Sequence, residues 1–388
     1  MIYDYPILES IDNEVLGMIR EQRQLLRYQV GQNPLRWNGF LRKNTFARAL
    51  QGSNSIEGIN ADLSEAVAII DDERPETLEE ETIRALQGYR VAMTYIVRCH
   101  EDPHMQINAQ FIRSLHYIML NYDMTKLPGQ WRNGPVYVVH EPTGDTVYEG
   151  PDDSEVPKLM EELVQQINSA DDRESSTVLG AMAHLNLAMI HPFKDGNGRM
   201  ARALQTLVIS RNGITSPIFC SIEEWLGRNT EAYYAILKEV GQGSWHPRNR
   251  ALPWVRFCLR AHYQQAVTLM KRNTHVGRVW GEVEKIVKIH KLPPRVEAPL
   301  LDAAFGYKIR NNGYREESEI SDVVATRDLR KLSDLGYLVP VGEKRGRYYI
   351  GSPMLREISA KCRDTRRAED PYTILLRRSE EAQLDLAM

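Results

Sequence analysis

The sequence predicts a mainly α fold that carries one β-hairpin and is followed by a smaller unit of helices and a second hairpin. Three observations lead there. From residue 10 to about 270, apolar residues recur at three- and four-residue spacing and the pattern breaks at Gly or Pro clusters. Val136 to Tyr148 interrupts it with β-forming residues on either side of the turn-forming run from Glu141 to Asp145. After about residue 278, Pro293-Pro294 and the polar stretch from Lys308 to Ser318 separate short helical segments. A chain of 388 residues exceeds the size at which a single core keeps growing, so the expected division is 1–270, 279–350 and a tail, 351–388.

Along the first unit, Asp71 to Glu81 is a run of acids around Pro75, expected as a solvated loop leading into a helix. The hairpin near 136–148 is short and expected to be exposed. In the second unit, Ile320, Val323, Val324, Leu329, Leu332 and Leu335 space like helix faces and Gly336 stops that helix. Leu338 to Val341 and Arg347 to Ile350 flank the turn Gly342 to Gly346, so helix, helix and hairpin together predict a winged helix.

Composition narrows the function classes. Hydrophobic residues at 42% and charged residues at 26% belong to an ordinary globular chain, and a net charge of -3 argues against a chain-wide nucleic-acid footprint. Cys99, Cys220, Cys258 and Cys362 are scattered without a CxxC pair, which predicts reduced thiols in a cytoplasmic protein. The first residues have no basic stretch ahead of an apolar run, and no long uncharged apolar segment occurs, so no membrane association is expected.

The chemistry concentrates in AMAHLNLAMIHPFKDGNGRMAR, residues 181–202, where an apolar helix runs into a polar loop and a second helix continues to Asn212-Gly213. Gly196 and Gly198 permit a tight turn with bare N–H groups at a helix start, a seat for phosphate oxygens. Arg199 and Arg202, three residues apart, can lie on one face and neutralise phosphate charge. Asp195 supplies the hard oxygen that Mg²⁺ prefers. His191 titrates near neutrality and can take a proton from an attacking hydroxyl. Any one of these residues alone reads as structural, but the set within twelve positions points to phosphoryl or nucleotidyl transfer. Phe193 is expected to anchor the loop in the core, and His184 to be structural.

HPFKDGNGRMAR resembles the signature loop of the Fic family, HPFx(D/E)GNGRxxR, with every specified position filled. The resemblance covers roughly residues 30 to 265. It implies a Fic-type helical bundle with a hairpin flap near 136–148, in which His191 deprotonates a Ser, Thr or Tyr hydroxyl of a target protein that attacks the α-phosphate of ATP. It also implies that Asp195 holds Mg²⁺, that Gly196, Asn197 and Gly198 cradle phosphates, that Arg199 and Arg202 bind the β- and γ-phosphates, and that Phe193 anchors the loop. Tyr233 and Tyr234 resemble tyrosines that line the nucleoside pocket; Gly241 stands where many relatives have an asparagine. The intact Gly-Asn-Gly turn favours AMP transfer over the phosphorylation of doc-type relatives.

Ser53 to Gly58 fits the family's inhibitory motif, (S/T)xxxE(G/N), within a helix expected near 44–58. Glu57 would then pair with Arg202, block the γ-phosphate site and hold the enzyme at rest, with automodification rising when it is removed and AMP removal from the target as a reverse activity. Family dimers add a homodimer to the expectations. Alternatively, the chain is a transcription regulator whose Fic domain only senses nucleotide. In that reading, as in a docking role, residues 318–350 use Arg327, Arg330, Lys331, Lys344, Arg345 and Arg347 to meet DNA or a protein.

Overall fold

The computed structural model describes every residue except 33–34, 101, 103, 141–144, 170–175, 212–215, 344–345 and 388. The expected helix end at Asn212-Gly213, most of the first hairpin's turn, and Lys344 and Arg345 therefore lie outside the described residues.

Helices dominate. α1 (Ser10–Gln32), α2 (Leu35–Ser55), α3 (Leu63–Ile70), α4 (Glu80–Cys99) and α5 (Ala109–Leu120) precede a hairpin of β1 (Tyr137–His140) and β2 (Asp145–Glu149). Then come α6 (Val156–Ser169), α7 (Ser176–Ile190), α8 (Asn197–Ser210), α9 (Pro217–Cys220), α10 (Glu223–Arg228) and α11 (Thr230–Gly241). A long helix, α12 (Leu252–Ile289), leads to α13 (Glu297–Ala304), α14 (Asn311–Glu317) and α15 (Asp322–Asp334). A second hairpin, β3 (Leu338–Val341) and β4 (Tyr348–Gly351), precedes α16 (Pro353–Cys362) and α17 (Pro371–Ala387), so the tail left unassigned by sequence is largely helical. No described helix is long and apolar enough to cross a membrane.

α7 and α8 form the centre. From Ser176 to Leu187 α7 is buried on all sides, and from Arg199 to Ser210 so is α8. A helix buried on every side sits in the middle of the bundle, with its polar side chains met from within the protein, which fixes the loop between them against the core. α2 ends in a Schellman motif: Ile59 N–H bonds Asn54 C=O at 3.0 Å, Gly58 N–H bonds Ser55 C=O at 3.1 Å, and Gly58 takes φ 75°. Glu57 therefore stands on a closed turn at the helix end.

The first hairpin is antiparallel, pairing Tyr137 with Glu149 and His140 with Asp145, with a bulge between Val138 and Val139. It is less free than its length suggests, because the buried Tyr148 hydroxyl donates to the Met189 carbonyl at 2.9 Å. Two other expectations change. The junction placed between 270 and 279 lies inside α12, whose Val276, Val279, Trp280, Val283, Ile286 and Val287 are buried in the same core as Leu41 and Leu50 of α2 and Leu329, Leu338 and Leu355 further on. Val323 is not on the buried face of α15 but 76% exposed, with Ala325, Asp328, Leu329 and Leu332 turned inward; Asp328 ion-pairs with Arg295 at 2.6 Å.

Candidate active site

Residues 191–196 cross from the end of α7 to the start of α8. The turn is tight enough to put two residues in the left-handed region, Gly196 at φ 77° and His191 at φ 50°. A histidine there is strained, and the surroundings hold it. Arg132 does most of this: its backbone N–H donates to the Pro192 carbonyl at 2.9 Å and its Nε to the His191 carbonyl at 2.9 Å, while Nη1 and Nη2 reach the carbonyls of Gly134 and Pro151. One guanidinium thus ties the loop to both approaches of the hairpin.

The His191 Nδ1 lies 3.2 Å from the Ala188 carbonyl. A carbonyl only accepts, so Nδ1 carries the proton and the neutral ring keeps its Nε2 lone pair free, the form a base needs. Burial lowers the His191 pKa, against the Ala188 hydrogen bond and the Glu57 charge, which raise it. The ring is therefore neutral at physiological pH.

Phe193 is fully buried, and its ring lies flat on the His116 imidazole with centroids 3.7 Å apart and planes within 4°. His116 Nδ1 accepts from the Gly129 N–H at 2.8 Å, so its Nε2–H donates to the Asp195 carbonyl at 2.9 Å. Burial pushes the His116 pKa down to about 4, which keeps that donor and acceptor pattern fixed. Asn197 also serves the loop: its Oδ1 accepts from Phe193 N–H and its Nδ2 donates to Phe193 C=O, both at 2.9 Å. Its side chain is occupied by the turn it belongs to.

Asp195 is partly exposed, with Oδ2 3.1 Å from Lys126 Nζ and Oδ1 3.8 Å from Arg199 Nη2. Burial alone would raise its pKa, but Arg199, Lys126 and the Gly196 N–H outweigh it and keep the carboxylate ionised. Arg199 and Arg202 are both buried, and Arg199 Nε and Nη1 and Arg202 Nη1 have no hydrogen-bond partner. Buried guanidinium donors without acceptors are costly unless an anion meets them, so this face of the loop fits phosphate oxygens.

Arg202 is otherwise satisfied from α2. Its Nε donates to Ser53 Oγ and its Nη2 to Ser53 C=O, both at 2.8 Å, and Nη2 also meets Glu57 Oε1 at 2.7 Å. Burial works against the Arg202 charge, and Glu57 more than offsets it. Gly198 makes the approach feasible, since a methyl group there would fall within the Glu57 carboxylate. Ser53 and Glu57 are therefore brought to Arg202, at the loop, across 149 and 145 residues of chain. Gly58 contributes the turn. Tyr233 is buried with its hydroxyl 2.9 Å from His184 Nε2, whose Nδ1 meets Gln205 Oε1 at 2.6 Å, so His184 is structural and Tyr233 shares its network. Tyr234 is half exposed, and its hydroxyl donates to the Ile56 carbonyl beside Glu57 at 3.1 Å. Gly241 packs against Tyr148 and Met189.

Sequence reasoning missed His116, Lys126, Arg132 and Tyr148. Each lies 41 to 79 residues from the group it holds in the loop or in the last turn of α7, and none sits in the signature motif. Only the apolar run of α5 around His116, with Ile112, Leu115 and Met119 buried, marks that histidine as facing inward.

Residues 106–209 match the Fic/DOC family. The chain is 26% identical over 268 residues to the protein adenylyltransferase Fic of Nematostella vectensis, covering 66% of this chain and 55% of that protein. It is 25% identical over 251 residues to the protein adenylyltransferase fic-1 of Caenorhabditis elegans, covering 62% and 45%. The chain spans about half the length of the curated relatives it matches. A Fic family protein from Desulfovibrio desulfuricans G20 superposes with a TM-score of 0.55 at 20% identity, over 90% of this chain and 99% of that one. A C. elegans Fic-1 fragment gives 0.54 at 21%, over 67% and 72%. The fold is that of the Fic proteins.

Proposed function

Since the chain carries a Fic/DOC domain over residues 106–209, we propose that it transfers AMP from ATP to a hydroxyl side chain of a target protein and is held at rest by its own Glu57. The observation that carries this reading is the loop 191–202, where a neutral His191 with a free Nε2 stands beside buried Arg199 and Arg202 whose unpartnered N–H groups ask for phosphate.

The target hydroxyl loses its proton to His191 Nε2 as its oxygen bonds to the α-phosphorus. The bond to the bridging oxygen of the β-phosphate breaks, and pyrophosphate leaves. Arg199 and Arg202 neutralise the β- and γ-phosphates, and the N–H groups at the start of α8 face the same anions. Asp195, ionised and partly exposed, is the residue that would hold Mg²⁺, which would supply charge neutralisation on the phosphates when bound. The hairpin β1–β2, anchored through Tyr148 at the last turn of α7, aligns the target chain by strand addition.

Glu57 occupies the donor of Arg202 that the γ-phosphate needs, so ATP settles unproductively until the turn at residues 56–58 moves. The same carboxylate can orient a water for the reverse reaction. We take the site of action to be the cytoplasm, and residues 297–351 to be a winged-helix unit that docks a protein or DNA through the exposed Arg327, Arg330 and Lys331. Salt-dependent binding to duplex DNA would favour the nucleic acid.

The test is incubation of wild type, Glu57→Gly and Glu57→Gly/His191→Ala with α-³²P-ATP and Mg²⁺ in the presence of lysate. Glu57→Gly should label itself and targets roughly tenfold or more above wild type, since it removes a charge-assisted hydrogen bond. Adding His191→Ala should lower that label by roughly 10²- to 10⁴-fold. Equal labelling of all three proteins would refute both roles, and a complete absence of label would favour a nucleotide-sensing regulator.

A further inference from the structure

A cavity of about 1160 Å³ lies between α2, α10, α12, α16 and residues 363–368, and shares no lining residue with the loop 191–202. Eight lysine and arginine side chains line it against two acids, Glu224 and Asp364. Both acids are already engaged. Glu224 takes Arg272 on both oxygens, at 2.6 and 2.9 Å, together with Arg228, the Gln265 amide at 2.9 Å and, at 3.8 Å, Arg48. Burial would raise the Glu224 pKa, but those arginines hold it at about 2. Asp364 pairs with Arg366 at 2.9 Å and Lys271 at 3.8 Å.

That leaves Arg356, Arg363 and Arg367 without an ion-pair partner among the described residues, all three exposed at the rim. Deeper in, Arg272 Nη1 is buried with no hydrogen-bond acceptor. An uncompensated cluster of guanidinium groups in a recess concentrates positive potential and repels itself, and an anion relieves both costs. The planar forks match phosphate oxygens two at a time. A volume of about 1160 Å³ leaves room for more than one phosphate, and Trp225 and Phe305 add flat apolar surface to its wall. A concave site of this size takes a small molecule more readily than a duplex.

We propose that this cavity is a second anion site, distinct from the catalytic loop, that binds a compact oligophosphate of two or more phosphates carried either by a nucleotide or as inorganic polyphosphate. Arg48 places α2 in its wall, five residues before the Ser53 that holds Arg202.

The experiment is calorimetric titration of the full chain with inorganic tripolyphosphate and with GTP, for wild type and for Arg356→Glu/Arg363→Glu/Arg367→Glu, whose fold is checked by circular dichroism. Wild type should bind tripolyphosphate, and the charge reversals should weaken it at least about tenfold, as expected from losing charge-assisted contacts. GTP binding more tightly than tripolyphosphate marks a nucleotide as the occupant; equal or weaker GTP binding marks inorganic polyphosphate. If the triple variant misfolds, Arg363→Glu and Arg367→Glu are compared singly and should each weaken binding. Unchanged affinity in the variants would place the ligand elsewhere and overturn the proposal, as would no binding to wild type; neither outcome bears on AMP transfer, which is read by labelling.

Discussion

The two histidines of the loop region carry opposite duties. His191 is lowered from its ordinary pKa by burial yet keeps a free nitrogen, so the base should remain active below the ordinary histidine value near 6.5. In the Glu57→Gly variant the acid limb of the rate profile should fall below that value; a limb above it would contradict burial as the dominant influence. His116 is a positioning residue whose folded pKa is about 4 against an unfolded value of 6.5. The folded state resists the proton, so the neutral ring contributes stability that is fully present above 6.5 and is lost as the pH falls through the window from 6.5 to about 4. The shift corresponds to ~3 kcal/mol. Denaturant titrations across that window should show the loss, and His116→Phe, which keeps an aromatic on Phe193 but cannot titrate, should flatten the profile while costing stability at neutral pH. The loop residues were legible because twelve consecutive positions hold them all. His116 and Arg132 were not, since a hydrogen bond to a backbone carbonyl leaves no pattern in the partner's neighbourhood.

At the scale of elements, the position of Glu57 depends on how closely α2 lies on α10. A methyl group on Gly52 would overlap the Glu223 backbone, and Gly227 faces the same point from the other helix. Gly52→Ala should therefore push the helices apart and cost about 1–3 kcal/mol by thermal or chemical denaturation. It should also raise automodification, because Ser53 and Glu57 move with α2; unaltered labelling in a folded variant would separate helix packing from inhibition. Glu223, whose pKa burial raises to about 7, receives the Tyr89 hydroxyl at this junction and sits close to the Arg202 charge. The Ser53–Gly58 turn was visible in sequence both as a helix stop and as an inhibitory motif. In the structure this segment is a C-cap turn that aims the Glu57 carboxylate at Arg202.

For the whole molecule, α12 decides how many folding units there are. The apolar positions 276, 279, 280, 283, 286 and 287 were readable as one continued helical face, but the change of composition after 278 drew the boundary through it. The physical stop is Pro293, beyond the helix end at Ile289. Because that face shares its core with α2 and with the second hairpin, calorimetry should show one cooperative transition, and truncation after residue 270 should lower solubility by removing the cover from Leu41 and Leu50. Two separate transitions would restore the boundary at 270–279. The Glu57–Arg202 contact, finally, joins two points of the same polypeptide. Its local concentration is fixed by the fold and does not fall on dilution. A repressor carried on a separate chain is lost when one gene outpaces the other; under the proposed role of Glu57, every copy synthesised would arrive with its own, in a one-to-one ratio that expression level cannot disturb.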